Sequence, residues 1–130
     1  ILSGVPNSMP SLIKAYRMQE KAANVGFDWE KKEDVWAKVR EEIAEVEAEM
    51  EKGDKTNCEK EFGDLIFSLV NAARLYDINP DNALELTNAK FRRRFNHVEE
   101  SSKAKGLNLK DMSLEEMDAL WNEAKESEKA

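Results

Sequence analysis

Apolar residues recur along this chain at alternating three- and four-residue steps, the period of helices that bury one face. Residues 1–9 break that pattern, with Gly4, Pro6, Asn7 and Ser8, and read as an extended lead-in. Pro10 suits the first turn of a helix, where its missing N–H costs nothing. A first helix should then run to about Asn24, with Leu12, Ala15, Tyr16, Gln19, Ala22 and Ala23 inward. Gly26 stops it, and Phe27-Asp28-Trp29 forms a turn with two large apolar anchors. The spacing predicts a second helix from about Lys31 to Lys52, burying Trp36, Val39, Ile43, Val46 and Met50. Alongside runs a polar stripe of Lys38, Glu42, Glu45 and Glu49. At about 100° per residue, Glu42 and Glu45 fall at the margin of the apolar face. A purely solubilising glutamate usually sits on the far side.

Gly53-Asp54 reads as a helix–helix turn, and Thr56 with Glu59 as a capping box opening a third helix. That helix should reach about Asp77 and is the most apolar, with Phe62, Leu65, Ile66, Leu69, Val70, Ala73 and Tyr76 inward. Its polar residues, Glu61, Asp64, Ser68 and Asn71, share a line. Asn79-Pro80 opens a fourth helix, with Leu84, Thr87, Phe91, Phe95 and Val98 inward, ending around Ser101-Ser102-Lys103. Gly106 and Asn108 interrupt the chain. Ser113 with Glu116 is a second capping box, before a last helix with Leu114, Met117, Leu120 and Trp121. The expected organisation is a lead-in at 1–9, one domain at 10–126 and a tail at 127–130.

Composition supports this all-α reading. Charged residues are 36% and hydrophobic ones 41%, with five Gly and three Pro in 130 residues. A net charge of −7 argues against broad nucleic-acid binding. No apolar run is long enough to span a membrane. The single cysteine, Cys58, cannot form an internal disulfide, which fits a reducing cytoplasm.

Three clusters carry candidate chemistry. Glu41-Glu42-Ile43-Ala44-Glu45 and Glu61-Phe62-Gly63-Asp64 are acidic and lie on consecutive helices. Carboxylates three apart point the same way on a helix. Two such pairs facing each other would form an all-oxygen cage of the kind Mg²⁺ or Mn²⁺ prefers. The third cluster, Lys90-Phe91-Arg92-Arg93-Arg94-Phe95, is cationic and suggests a phosphate-bearing ligand. Lys90 and Arg94 share a face, whereas Arg92 and Arg93 should face water. Trp121 and Lys125 repeat the four-residue spacing and would either close a base or phosphate pocket or serve as core plug and surface charge.

Each cluster has a plainer reading. A run of glutamates is commonly a solvated helix face. Glu61 and Asp64 are less easily dismissed, because unpaired carboxylates in an apolar helix are costly. Salt bridges to Lys38, Lys90 or Arg94 would also satisfy them. The lone His97 reads as an ordinary half-buried residue and cannot supply the paired Glu-x-x-His of di-iron bundles. No glycine-rich phosphate loop or nucleophile elbow is present, so phosphate chemistry would run through metal and side chains.

Taken in order, these residues resemble the MazG family of nucleoside triphosphate pyrophosphohydrolases. The resemblance rests on Lys-Ala-Ala-Asn-Val-Gly-Phe-Asp-Trp at 21–29, Glu-Glu-x-x-Glu at 41–45 and Glu61-x-x-Asp64. It continues through Asn-Ala-Lys-Phe-Arg-Arg-Arg-Phe at 88–95 to Trp121 with Lys125. It implies a helical bundle of the all-α NTP pyrophosphatase type, completed as a homodimer or larger homo-oligomer. It implies Mg²⁺-dependent cleavage of NTPs or dNTPs between the α- and β-phosphates. Glu42, Glu45, Glu61 and Asp64 would be the metal ligands; Lys38, Lys90, Arg94, Trp121 and Lys125 would contact the nucleotide. Glu41 would orient water or act as base beside Glu42. Lys60 stands where some members carry an acid. Val5-Pro6 to Pro10-Ser11-Leu12 resembles the segment joining two halves of longer members, so the chain looks like a C-terminal catalytic half. The alternatives are a pyrimidine-specific, dUTPase-like hydrolase and a non-catalytic helical interaction module.

Overall fold

A computed structural model describes residues 1–129; Ala130, the end of the expected tail, lies outside them. The described residues form five α-helices and two short 3-10 turns, with no strand, as the period predicted. The helices are α1 (Ser11–Asn24), α2 (Val35–Lys52), α3 (Lys55–Leu75), α4 (Pro80–Ala104) and α5 (Leu114–Ser127). The 3-10 turns are Lys32–Asp34, entering α2, and Leu109–Asp111, before α5. No described helix is long and apolar enough to cross a membrane. The chain divides into two compact units, 1–83 and 84–130.

Helix ends follow local side-chain chemistry. Gly53 closes α2 at φ 73°, a left-handed conformation that glycine adopts without Cβ strain. Asp54 then caps α3, its carboxylate accepting from the Asn57 backbone N–H at 3.3 Å. The expected cap at Thr56 is therefore corrected: Asp54 is the better acceptor and adjoins the turn, so the helix begins sooner. The Asn79 side chain accepts from the N–H groups of Asp81 and Asn82 and opens α4. Ser113 and Glu116 form the full reciprocal box at the start of α5.

In the first unit, α2 packs along α3, and α1 also lies against α3. The core joins Val35, Val39 and Ala72, with Leu65, Leu75 and Tyr76 packed around them. Burying each valine stabilises by about 1.5 kcal/mol or more. The inward face of α2 is narrower than expected. Val39 and Val46 are buried together with Val35 and Glu42, but Trp36, Ile43 and Met50 are exposed. The same holds on α3, where Phe62, Ile66 and Leu69 are exposed in the chain. An apolar stripe can be wider than one neighbouring helix covers, and periodicity does not register that width.

In the second unit, the buried residues are Val98, Ser102, Leu120 and Ala124. Ser102 turns its hydroxyl back to the Val98 carbonyl at 2.7 Å. Leu84, Phe91, Phe95 and Leu114, all expected inward, are exposed to differing degrees. His97 is half-buried as expected, with Nε2 3.5 Å from Glu123.

Candidate functional site

The turn at Gly53-Asp54 folds α3 back along α2, and this brings carboxylates far apart in sequence side by side. Glu42 and Glu45 of α2 and Glu61 of α3 each offer an oxygen, and the three lie within 4.8 Å of one another. Glu42 is buried at 5% exposure, Glu61 is half-buried and Glu45 is exposed. Asp64, one turn beyond Glu61, is exposed and lies outside this group of three.

Electrostatics inside the group are unbalanced. Lys38 donates to Glu42 Oε1 at 2.9 Å and reaches Glu41 at 3.6 Å. That contact with Glu42 raises the Lys38 pKa above its ordinary value. Glu42 Oε2 and Glu61 Oε2, in contrast, are buried and accept no hydrogen bond. The Glu45 carboxyl is pushed above the usual range, first by its hydrogen bond with Glu61 and next by the charge on Glu42. One ammonium therefore serves a three-carboxylate cluster. Buried acceptors without donors, close-set and all oxygen, fit a hard divalent cation such as Mg²⁺ or Mn²⁺. Glu41 is mostly exposed beside Lys38.

The remaining candidates belong to the second unit. Lys90 and Lys125 are exposed. The Arg94 guanidinium lies 5.7 Å from the Trp121 ring centre, and Phe91 packs on Trp121 at 5.2 Å. Arg94 also holds Glu128, with Nη2 at 2.8 Å and Nε at 3.1 Å from Oε2. Arg93, expected to face water, is 60% exposed yet donates to the same carboxylate at 3.4 Å. Glu128 carried no signal in the sequence, because it sits in a charged run that looks like a solvated end.

The first unit also contains a cleft of about 570 Å³ lined by Met18, Gln19, Phe27, Trp29, Phe67 and Asn71 among others. Gln19 donates to the Phe67 carbonyl at 3.0 Å, while its Oε1 is buried without a partner. Arg74 braces the rim through two bonds to Asp28, at 2.7 and 3.1 Å. The sequence marked Gln19 as inward and Phe27 and Trp29 as large anchors, but gave no sign that they enclose a space. Both ring-bearing residues remain exposed rather than anchored in a core.

Fold and site together define a class: an all-α protein in which two antiparallel helices gather acidic side chains into a cation-ready cluster. The particular family follows from comparison. The family model for the MazG nucleotide pyrophosphohydrolase domain matches residues 30–99, more than half of the chain, and the chain belongs to that family. The match spans Lys38, the acidic clusters, Lys90 and Arg94; Trp121 and Lys125 lie beyond it. The chain is 42% identical over 129 residues to the nucleoside triphosphate pyrophosphohydrolase of Escherichia coli K12, covering 98% of this chain and 49% of that protein. It is 41% identical over 117 residues to the nucleoside triphosphate pyrophosphohydrolase/pyrophosphatase MazG of Thermotoga maritima, covering 90% of this chain and 45% of that protein. It is 60% identical over 73 residues to YabN of Bacillus subtilis, covering 56% of this chain and 15% of YabN. The chain thus spans about half the length of the first two relatives and a smaller share of the third.

Proposed function

We propose that this domain hydrolyses nucleoside triphosphates between the α- and β-phosphates, releasing a nucleoside monophosphate and pyrophosphate, with Mg²⁺ or Mn²⁺ as cofactor. The observation that carries the reading is the cluster of Glu42, Glu45 and Glu61, with two buried oxygens that accept no hydrogen bond. Glu42, Glu45 and Glu61 would hold the ion, with Asp64 joining from the next turn of α3. A cation bound there supplies charge neutralisation to phosphate oxygens and a lowered water pKa.

The chain's own residues do the rest. Lys38 holds Glu42 through one oxygen and orients it, so that the second oxygen stays available to a ligand. Glu41, beside Lys38, would orient water. Lys90, Arg94, Trp121 and Lys125 are assigned to the nucleotide on the family resemblance, the cations neutralising the leaving pyrophosphate. The cleft beside α3 suits the nucleoside. Phe67, Asn71 and Arg74 continue along α3 from Glu61 and Asp64 at helical spacing, with about 1.5 Å of rise per residue. A triphosphate near Glu61 would bring its base to the level of Phe67 and Asn71. The exposed apolar residues of α2 and α3 support a homodimer.

The test is product analysis with and without Mg²⁺ across the common NTPs and dNTPs. Monophosphate plus pyrophosphate is the expected outcome; diphosphate plus phosphate would overturn the cleavage site. Activity confined to dUTP would favour the narrower, dUTPase-like reading. A non-catalytic interaction module, with acids held only by salt bridges, is favoured by the Lys38–Glu42 pair, but that pair answers one oxygen of one carboxylate.

A further inference from the structure

Within the second unit, two neighbouring arginines of α4 converge on one carboxylate beyond the end of α5. Arg94 places both Nε and Nη2 on Glu128 Oε2, at 3.1 and 2.8 Å, and Arg93 places Nε on Oε1 at 3.4 Å. The Arg94 side chain is only 14% exposed and its guanidinium lies over Trp121. Such a fork, backed by an aromatic ring, binds carboxylate and phosphate oxygens by the same charge-assisted geometry.

Glu128 is an unusual occupant. It follows the last turn of α5, where backbone carbonyls are unsatisfied and the helix dipole is negative. A carboxylate is disfavoured at that end of a helix, and a cation would be preferred. The arginine pair is what holds it, and the Arg94 hydrogen bonds lower the Glu128 pKa below its ordinary value. At 29% exposure the side chain is also within reach of water, so it can leave the fork without unfolding the helix.

We propose that Glu128 is a built-in competitor for the anion site formed by Arg93 and Arg94: it fills the fork in the free protein and must be displaced before phosphate oxygens can bind there. The proposal rests on the reading above only in taking phosphate as the incoming anion. Its consequence is a weakened apparent affinity. A ligand that requires the minor, open form binds more weakly by the fraction of molecules that are open. An ion pair of this exposure holds the closed form by roughly fivefold, so the penalty should be roughly fivefold.

The experiment is calorimetric titration of the whole domain with inorganic pyrophosphate, without metal and at fixed ionic strength. Glu128→Gln should bind roughly fivefold more tightly than the unaltered protein. Glu128→Asp, which keeps the charge but shortens the reach, should fall between them and serves if the first variant folds poorly. Adding Arg94→Gln to either variant should erase the gain. Equal or weaker pyrophosphate binding in folded Glu128→Gln or Glu128→Asp would overturn the proposal, as would a gain that survives loss of Arg94. Triphosphate hydrolysis by the unaltered protein is measured separately. A protein without hydrolysis whose Glu128→Gln variant still gains affinity would sink the enzyme and keep the competitor; the converse result would do the opposite.

Discussion

Glu42 is the residue whose environment asks most of the molecule. At 5% exposure, with one oxygen on Lys38 and the other without a donor, its charge is only partly compensated. Truncation of Glu42 to Ala should abolish turnover while leaving a folded, helical domain, as judged by pyrophosphate release and circular dichroism; the same is expected of Asp64→Ala. Millimolar Mg²⁺ should raise the melting temperature of the unaltered protein, corresponding to about 1.4 kcal/mol at roughly ten times Kd. Glu42→Gln should lose that rise. Full activity of Glu42→Ala, or an unchanged Mg²⁺ response in Glu42→Gln, would remove this residue from the site. A separate residue-scale expectation concerns acid stability. The Arg74 hydrogen bonds hold the Asp28 pKa below its ordinary 3.8. A depressed acid contributes stability above the unfolded value and loses it as pH falls through the folded value. Asp28→Asn should therefore cost about 1–2 kcal/mol at pH 7, and the gap to the unaltered protein should close below 3.8, measured by urea unfolding across pH.

At the scale of the element, caps and glycines decide where helices stop and how firmly. Ser113→Ala removes one half of the reciprocal box on α5 and should cost about 1 kcal/mol in denaturant unfolding. Gly63 lies within α3, between the acids Glu61 and Asp64, and a Cβ there would meet nothing within 4 Å. Gly63→Ala should raise stability by about 0.5–1 kcal/mol, through helix propensity alone. A loss of stability instead would mean that another surface closes on that face of α3. These elements were largely legible in the sequence, because period and punctuation are local. Gly53, the Asn79-Pro80 start and the Ser113–Glu116 box all act through neighbours a few residues away. Thr56 misled because Asp54, two residues earlier and read only as part of the turn, takes the cap once the chain leaves Gly53.

For the whole molecule, the uncovered apolar residues are the main consequence. Phe62, Ile66 and Leu69 follow one stripe of α3 and are each about half exposed in the single chain, at 43%, 51% and 45%. Exposed apolar stripes of this kind mark association surfaces. On the proposed dimer, Ile66→Asp should shift the protein to a monomer in light scattering coupled to gel filtration. An unaltered protein that is already monomeric at high micromolar concentration would refute the dimer.

The amino-acid pattern alone was enough to define five helices, their turns, and the acidic and cationic clusters, because helical period and capping depend on residues within a turn or two of one another. It also placed Glu42 and Glu45 at the edge of an apolar face. Tertiary structure decided the rest. It determined that Glu61 meets those two acids while Asp64 stays outside the group, that Lys38 serves Glu42, and that Arg94 is engaged by Glu128. It also left three of the five residues expected inward on α2, and three of the seven on α3, exposed. Those outcomes depend on how helices are rotated and spaced against each other, and that is set by side-chain packing between residues distant in sequence.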